Sequence, residues 1–157
     1  MDDFERALSS MIETARTQPH HLGLLVLGSE QSTLDAHTLQ MDGTVLKDKY
    51  NIPGLLFTER VLELYQDMSA KDGAIAFDKE GNLLGAELYV IPGTPALDPK
   101  EIDTVVRIKR SLGTRHYTAL CASTVFRYAI CLSAQAGTVI PFKNGKVLTE
   151  LIYTPSS

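Results

Sequence analysis

A continuous apolar run, LGLLVL at residues 22–27, constrains the fold of this chain more than any other feature of its sequence. A strand with one face in solvent alternates apolar and polar residues, whereas an unbroken apolar strand is covered on both faces. The run is too short for a membrane helix, which needs about 20 apolar residues. It therefore predicts a central strand of a sheet that has helices on both sides.

The remaining pattern alternates between helical and extended signals. Apolar residues at helical spacing predict helices over residues 2–16, 53–69, 99–110 and 114–127. Short apolar runs between turn residues predict a hairpin within residues 72–93 and strands at 128–133, 137–142 and 146–153. The polar residues 29–43 are predicted to form a loop that ends in a short strand. This order favours an α/β fold, in which a central mixed, twisted β-sheet is flanked by helices.

The N-terminal segment has an apolar stripe of its own, formed by Phe4, Leu8, Met11, Ile12 and Ala15. Its spacing predicts an amphipathic helix that packs on the body of the protein or on a partner. The whole chain has 157 residues, which is enough for one self-sufficient core. We therefore divide it into an N-terminal helix, residues 1–18, and a single compact domain, residues 19–157.

Composition and charge exclude several classes of function. The formal net charge is −4, whereas proteins that coat nucleic acids or membranes carry an excess of Lys and Arg. The acidic start MDDFER differs from the basic beginning of a signal peptide. Cys121 and Cys131 lack metal or redox spacing, and we interpret them as reduced core thiols. These observations predict a cytoplasmic protein with no nucleic-acid and no membrane partner.

A local basic stretch stands out in this acidic chain. Between residues 105 and 118 there is no Asp or Glu, and the cationic residues are Arg107, Lys109, Arg110 and Arg115. One interpretation is a solvated helix face. The other is an anion site, because Gly113 and Thr114 precede a predicted helix whose first backbone N–H groups bind phosphate readily. A capping box would have Glu three residues after Thr114, but Tyr117 stands there, so no carboxylate side chain occupies the helix end.

A second candidate site is Asp72-Gly73-Ala74, at the start of a predicted strand. An Asp-Gly pair is often no more than a turn. Alternatively, the carboxylate binds a divalent metal while the two small residues let a flat ligand approach the backbone. Because about forty residues separate this sequence from Arg115 and His116, the two places meet only if they lie at adjacent sheet ends.

Together these stretches resemble the diadenylate cyclase domain, a family that makes cyclic di-AMP from two ATP molecules. The signatures of that family are an Asp-Gly-Ala motif and a Gly-Thr-Arg-His-Arg motif, and this chain has DGA at 72–74 and GTRH at 113–116 in the same order. The resemblance covers about residues 22–152, with HLGLLVLGSE matching the first core strand. It implies a diadenylate cyclase-like nucleotide-binding domain over residues 19–157.

The resemblance also implies a catalytic set, composed of Asp72, Arg115 and His116. Asp72 would hold the divalent metal, Mn²⁺ or Mg²⁺, and help to deprotonate the 3′-hydroxyl of one ATP. His116 would be the second metal ligand. Arg115 would hold the triphosphate at the helix end.

Further residues are expected to contact the nucleotide: Gly73, Ala74, Gly113, Thr114, Tyr117 and Ser133. Tyr117 departs from the family, whose motif has a second arginine at this position. A tyrosine offers one neutral hydroxyl in place of a cationic fork, unless Lys109 or Arg110 takes over that role. The segment SAQAG, residues 133–137, also lacks the acidic residues that many relatives carry after the serine.

The resemblance implies a homo-oligomer whose active unit is a face-to-face dimer. Each protomer would hold one ATP as substrate, the 3′-hydroxyl of one nucleotide would attack the α-phosphate of the other, and cyclic di-AMP would be the product. The alternative is a nucleotide-binding sensor or regulatory module of the same fold that does not catalyse the reaction. Tyr117 and the segment SAQAG favour that alternative.

Overall fold

The structure is a computed structural model that describes residues 2–17, 23–40, 44–68, 71, 73–91, 97–109, 114–133 and 137–155. The helices are α1 Asp3–Thr17, α2 Gln31–His37, α3 Thr44–Lys49, α4 Arg60–Met68, α5 Pro99–Lys109 and α6 Thr114–Ala122. The strands are β1 Leu24–Leu27, β2 Thr38–Gln40, β3 Ala74–Phe77, β4 Leu83–Val90, β5 Tyr128–Leu132, β6 Val139–Lys143 and β7 Lys146–Val147. Within these described ranges, no helix is both long and apolar enough to cross a bilayer.

The strands form one mixed sheet in the order β2-β4-β3-β1-β5-β6-β7. β1 and β3 run parallel, and each of the other neighbouring pairs is antiparallel. β1 lies at the centre, and all its residues are buried. The structure confirms the predicted α/β fold, a single domain with a mixed sheet flanked by helices.

The side chains of β1 alternate between two hydrophobic cores, one on each face of the sheet. Leu25 and Leu27 belong to the first core, to which α1 and α4 contribute. Leu24 and Val26 belong to the second core, to which α5 and α6 contribute. Helices therefore cover both faces of β1, which explains why its sequence does not alternate.

The predicted N-terminal helix is present as α1 and packs on the body of the domain. It contributes Phe4, Ala7 and Met11 to the first core. The hydroxyl of Ser10 lies 2.8 Å from the hydroxyl of Tyr65 in α4, and both side chains are buried. α1 is thus part of the same core as the central strand.

Several local predictions are wrong. The loop predicted over residues 29–43 contains α2, although the short strand after it is present as β2. The helix predicted from residue 53 begins at Arg60, because a 3₁₀ turn, Leu55–Phe57, precedes it. α6 ends at Ala122, earlier than predicted, and the last predicted strand is only β7 followed by a second 3₁₀ turn, Thr149–Leu151. The predicted hairpin, formed by β3 and β4, is confirmed.

Candidate functional site

One end of the sheet brings together the ends of four strands. Leu24 of β1 pairs with Ala74 of β3 on one side and with Cys131 of β5 on the other. Ala74 in turn pairs with Leu88 near the end of β4. Since β1 and β3 begin where β4 and β5 end, residues far apart in sequence become neighbours at this end.

A cleft of about 310 Å³ opens at this end of the sheet, and we call it the motif cleft. Its lining consists of Leu24, Gly73, Ala74, Leu88, Tyr89, Val90, Arg115 and Thr118. Gly73 and Ala74 come from the first candidate motif and Arg115 from the second, so the structure brings both motifs to one cleft. Its volume is typical of the lower range of small-molecule sites, about 300–1,000 Å³.

The wall of the motif cleft is mainly apolar. Leu24, Ala74, Leu88 and Val90 are at most 5% exposed, which leaves only part of each side chain facing the cleft. Tyr89, which also lines the cleft, is 55% exposed. Such a wall suits a flat, weakly polar group, because burial of apolar surface contributes about 25 cal/mol per Å².

Arg115 carries the only charge among the described residues that line the cleft. It lies in the first turn of α6, where unpaired backbone N–H groups and the helix dipole favour an anion. Within the described ranges, it forms none of the ion pairs. Arg107 of the same basic stretch is exposed on α5 and does not line the cleft. Arg115 therefore fits the anion-site interpretation, whereas Arg107 fits that of a solvated face.

Gly73 has a backbone conformation that side chains disfavour, with φ of 106°. Residues with a Cβ atom rarely adopt positive φ, whereas glycine does so readily. The glycine of the DGA sequence is therefore required by backbone geometry, in addition to the space it leaves in the cleft.

Two other predicted site residues are buried and do not line the cleft. His116 follows Arg115 in α6 and is 6% exposed. Ser133 directly follows β5 and is 3% exposed. Its backbone N–H donates to the carbonyl of Thr138 at 2.8 Å, and its carbonyl accepts from the N–H of Gly137 at 3.0 Å. Contacts of His116 or Ser133 with a ligand stay predictions.

Tyr117 does not line the motif cleft. It lies one helical turn before Cys121, and the interaction of its hydroxyl with that thiol raises the pKa of Tyr117 above its usual value of 10.0. Burial raises the pKa of the Cys121 thiol. Both groups therefore stay neutral near pH 7, and Tyr117 does not supply the positive charge of the family's second arginine.

The remaining predicted residues lie outside what the structure describes. These are Asp72, Gly113 and Arg110, together with the side chains of Thr114 and Lys109. For Thr114 the structure gives the backbone position, which is the first residue of α6. The predicted roles of these residues stay predictions.

Five of the eight described residues that line the cleft were not predicted from the sequence as site residues. Leu88, Tyr89 and Val90 at the end of β4 form one wall, and Leu24 and Thr118 complete it. The predicted hairpin indicates the position of the β4 residues, because an antiparallel hairpin places the end of its second strand beside the start of its first.

A divalent ion at this end of the sheet would need ligands beyond the side chains that the structure describes. Among the described residues, no group of three or more His, Cys, Asp or Glu side chains can hold a metal. Mg²⁺ in nucleotide sites is typically held by one or two carboxylates together with substrate phosphates. A single carboxylate next to Gly73, as Asp72 supplies in the sequence, is compatible with that donor set.

Comparison with known proteins relates the fold to two solved structures. No protein-family model and no curated protein matches the chain. A double cysteine variant of DacA from Staphylococcus aureus aligns with a TM-score of 0.55 and 20% identity, over 99% of this chain and 87% of that one. A protein from Bacillus cereus, described as a hypothetical membrane spanning protein, aligns with a TM-score of 0.59 and 19% identity, over 98% of this chain and 63% of that one. This chain is thus similar in fold to both proteins and spans less than two thirds of the second.

Proposed function

We propose that this protein is a diadenylate cyclase, which condenses two ATP molecules into cyclic di-AMP and two pyrophosphates. The observation that carries the proposal is the motif cleft, because Gly73 and Ala74 line it together with Arg115. The fold shared with DacA, a diadenylate cyclase, supports the same reaction class. The two sequence motifs and their order agree with it.

Each part of ATP has a chemically suitable surface in the cleft. The apolar wall of Leu24, Leu88 and Val90 accepts the base and ribose. The guanidinium of Arg115 and the first backbone N–H groups of α6 bind the triphosphate. Preorganised donors of this kind also stabilise the charge that develops on phosphate oxygens in the transition state.

In the proposed reaction, the 3′-oxygen of one ATP forms a bond to the α-phosphorus of the other. The bond between the α-phosphorus and the bridging oxygen to the β-phosphate breaks, and pyrophosphate leaves. Two such steps close the ring. Because each ATP is both nucleophile and electrophile, two clefts must face each other, and we propose a homodimer of this chain as the active unit.

A divalent metal, Mn²⁺ or Mg²⁺, belongs to this proposal. Asp72 would hold it together with phosphate oxygens, and His116 is the second candidate ligand by resemblance. When bound, such an ion neutralises charge on the triphosphate and lowers the pKa of a nearby hydroxyl.

Product analysis tests the proposal directly. The protein is incubated with ATP and Mn²⁺ or Mg²⁺, and products are separated by chromatography. We expect cyclic di-AMP from the parent, none from Asp72→Ala, and about ten- to a hundred-fold less from Arg115→Ala, since a charged hydrogen bond contributes about 1.5–3 kcal/mol. Arg107→Ala, from the same basic stretch but outside the cleft, is the matched control and should keep parental activity. Equal product from the parent and Asp72→Ala would refute the assignment.

The position of Tyr117 favours a second function, a nucleotide-binding module without turnover. Its hydroxyl is neutral and the residue does not line the motif cleft, so the second cation of the family motif has no replacement at this position. Under this alternative, ATP or cyclic di-AMP binds and raises the melting temperature, because a ligand of the native state stabilises it, but no product forms.

A further inference from the structure

The side chain of Arg115 lies directly against the backbone of Gly23, the residue that precedes β1. A Cβ atom built on Gly23 would be 2.4 Å from Nε of Arg115, 2.6 Å from its Cζ and 2.8 Å from its Cδ. These distances are far shorter than the 3.5–4.0 Å of favourable contacts between non-bonded atoms. The guanidinium of Arg115 therefore occupies the space that any side chain at position 23 would fill.

Gly23 is not required by its backbone conformation. It is absent from the glycines with positive φ, whereas Gly73 is among them. Alanine could adopt the same backbone dihedral angles without strain, and only the space taken by Arg115 excludes it.

The backbone at Gly23 has little freedom to move away from Arg115. Its carbonyl accepts a hydrogen bond from the N–H of Leu132 at 2.9 Å, which ties it to β5. The next residue, Leu24, is in register with Ala74 on one side and with Cys131 on the other. A side chain at position 23 would therefore displace the arginine rather than the strand.

The side chain of Arg115 can move away from a side chain introduced at position 23. It is exposed, and the ion pairs found among the described residues do not include it. Contact with the flat surface of Gly23 thus holds the Arg115 side chain at the wall of the motif cleft.

We propose that Gly23 is a positioning residue for Arg115. By leaving out its Cβ atom, it lets the guanidinium lie across the start of β1, where it faces a ligand in the motif cleft. The nature of that ligand, a nucleoside triphosphate, rests on the proposed function, but the positioning of Arg115 does not.

A double-mutant cycle measured by ATP binding tests this role. Gly23→Ala should weaken ATP binding about ten-fold in the parent, because it displaces the charged donor. In an Arg115→Ala background the same change should weaken binding less than two-fold, since no guanidinium is left to displace. An equal loss in both backgrounds would overturn the inference. If Gly23→Ala lowers the melting temperature, adding Arg115→Ala should restore it, and failure to do so would also overturn the inference.

A second measurement tests whether Gly23 positions Arg115 even if the parent protein binds no ATP. The side-chain Nε–H signal of Arg115 in a proton-nitrogen NMR spectrum is assigned by its loss in Arg115→Lys. This signal should shift in Gly23→Ala and stay in place in Ser9→Ala, a control substitution at an exposed position of α1, which packs on the opposite face of the sheet from α6. An unmoved signal in folded Gly23→Ala contradicts the positioning role. Absence of ATP binding by the parent contradicts the proposed function instead.

Discussion

Gly73 and Ala74 are neighbours in the motif cleft, and a small residue is needed at each for a different reason. Gly73 has φ of 106°, so its backbone excludes a Cβ atom. Ala74 is a regular strand residue in register with Leu24 and Leu88, and it is only 2% exposed. Burial limits position 74, whereas backbone geometry limits position 73.

Gly73→Ala should therefore lower the free energy of unfolding by about 1–3 kcal/mol, the usual cost of a residue held in a disfavoured backbone region. Denaturant unfolding measures this change. Gly85→Ala is the matched control, since Gly85 also lies in the hairpin but has no positive φ. A Gly73→Ala protein as stable as the parent would show that position 73 does not have this conformation in solution.

Tyr117→Phe should leave the affinity for ATP within two-fold of the parental value. The change removes only the hydroxyl, and Tyr117 does not line the cleft. Calorimetric titration with ATP and Mg²⁺ measures the affinity. A ten-fold loss would mean that the hydroxyl turns into the cleft when the nucleotide binds.

Residue type and spacing predicted Gly73, Ala74 and Arg115 as site residues, and each of them lines the cleft. They did not distinguish these three residues from His116 and Tyr117, which do not line the cleft. Neighbouring residues on a helix point in different directions, so motif membership does not decide which side chains face the ligand. Arg115 and Thr118, three residues apart, share the cleft side of α6.

At the scale of elements, the helices divide into two groups on opposite faces of the sheet. α1 and α4 cover the first core, whereas α6 covers the second core and reaches the motif cleft with its first turn. α1 therefore contributes to the stability of the domain from the face opposite to α6.

Met11→Ala should lower the free energy of unfolding by about 2–5 kcal/mol, because the fully buried Met11 of α1 would leave a cavity in the first core. ATP affinity should be unchanged when the protein is folded, because Met11 does not line the motif cleft. Ser9→Ala is the control, an exposed position on the same helix whose replacement should change stability by less than about 0.5 kcal/mol. If Met11→Ala is as stable as Ser9→Ala, α1 does not pack on the core in solution.

Elements with a repeated apolar pattern were predictable, and short elements without one were not. β1 and the hairpin of β3 and β4 have apolar runs between clear turn residues. α2 buries only Leu34 among its seven residues, so its sequence has no helical period to detect. Its existence depends on tertiary contacts, because isolated helices of this length are not stable in water.

At the scale of the whole molecule, the buried hydroxyl of Tyr65 makes the free energy of unfolding depend on pH. Tyr65 is 1% exposed in the first core, and burial raises its pKa above the usual value of 10.0. The unfolded chain releases this proton near pH 10, whereas the folded protein keeps it at higher pH. The stabilising contribution is therefore complete below pH 10 and is lost as pH rises above it.

The free energy of unfolding should thus fall above pH 10, with Tyr65 contributing a slope that approaches about 1.4 kcal/mol per pH unit. Tyr65→Phe should reduce the slope by that amount, although it also removes the contact with Ser10. Denaturant unfolding between pH 9 and pH 11.5 measures both slopes. Identical slopes in the two proteins would contradict the burial of an un-ionised Tyr65.

Under the proposed function, the starts of β1, β3 and α6 and the end of β4 bind one nucleotide together. A titration of the ¹⁵N-labelled protein with ATP and Mg²⁺, followed by the backbone amide signals, tests it most directly. We predict that the signals of Gly73 and Ala74 shift together with those of Arg115 and Thr118, with one common dissociation constant. Shifts in only one of these two pairs of residues, or two unrelated dissociation constants, would contradict a shared nucleotide site.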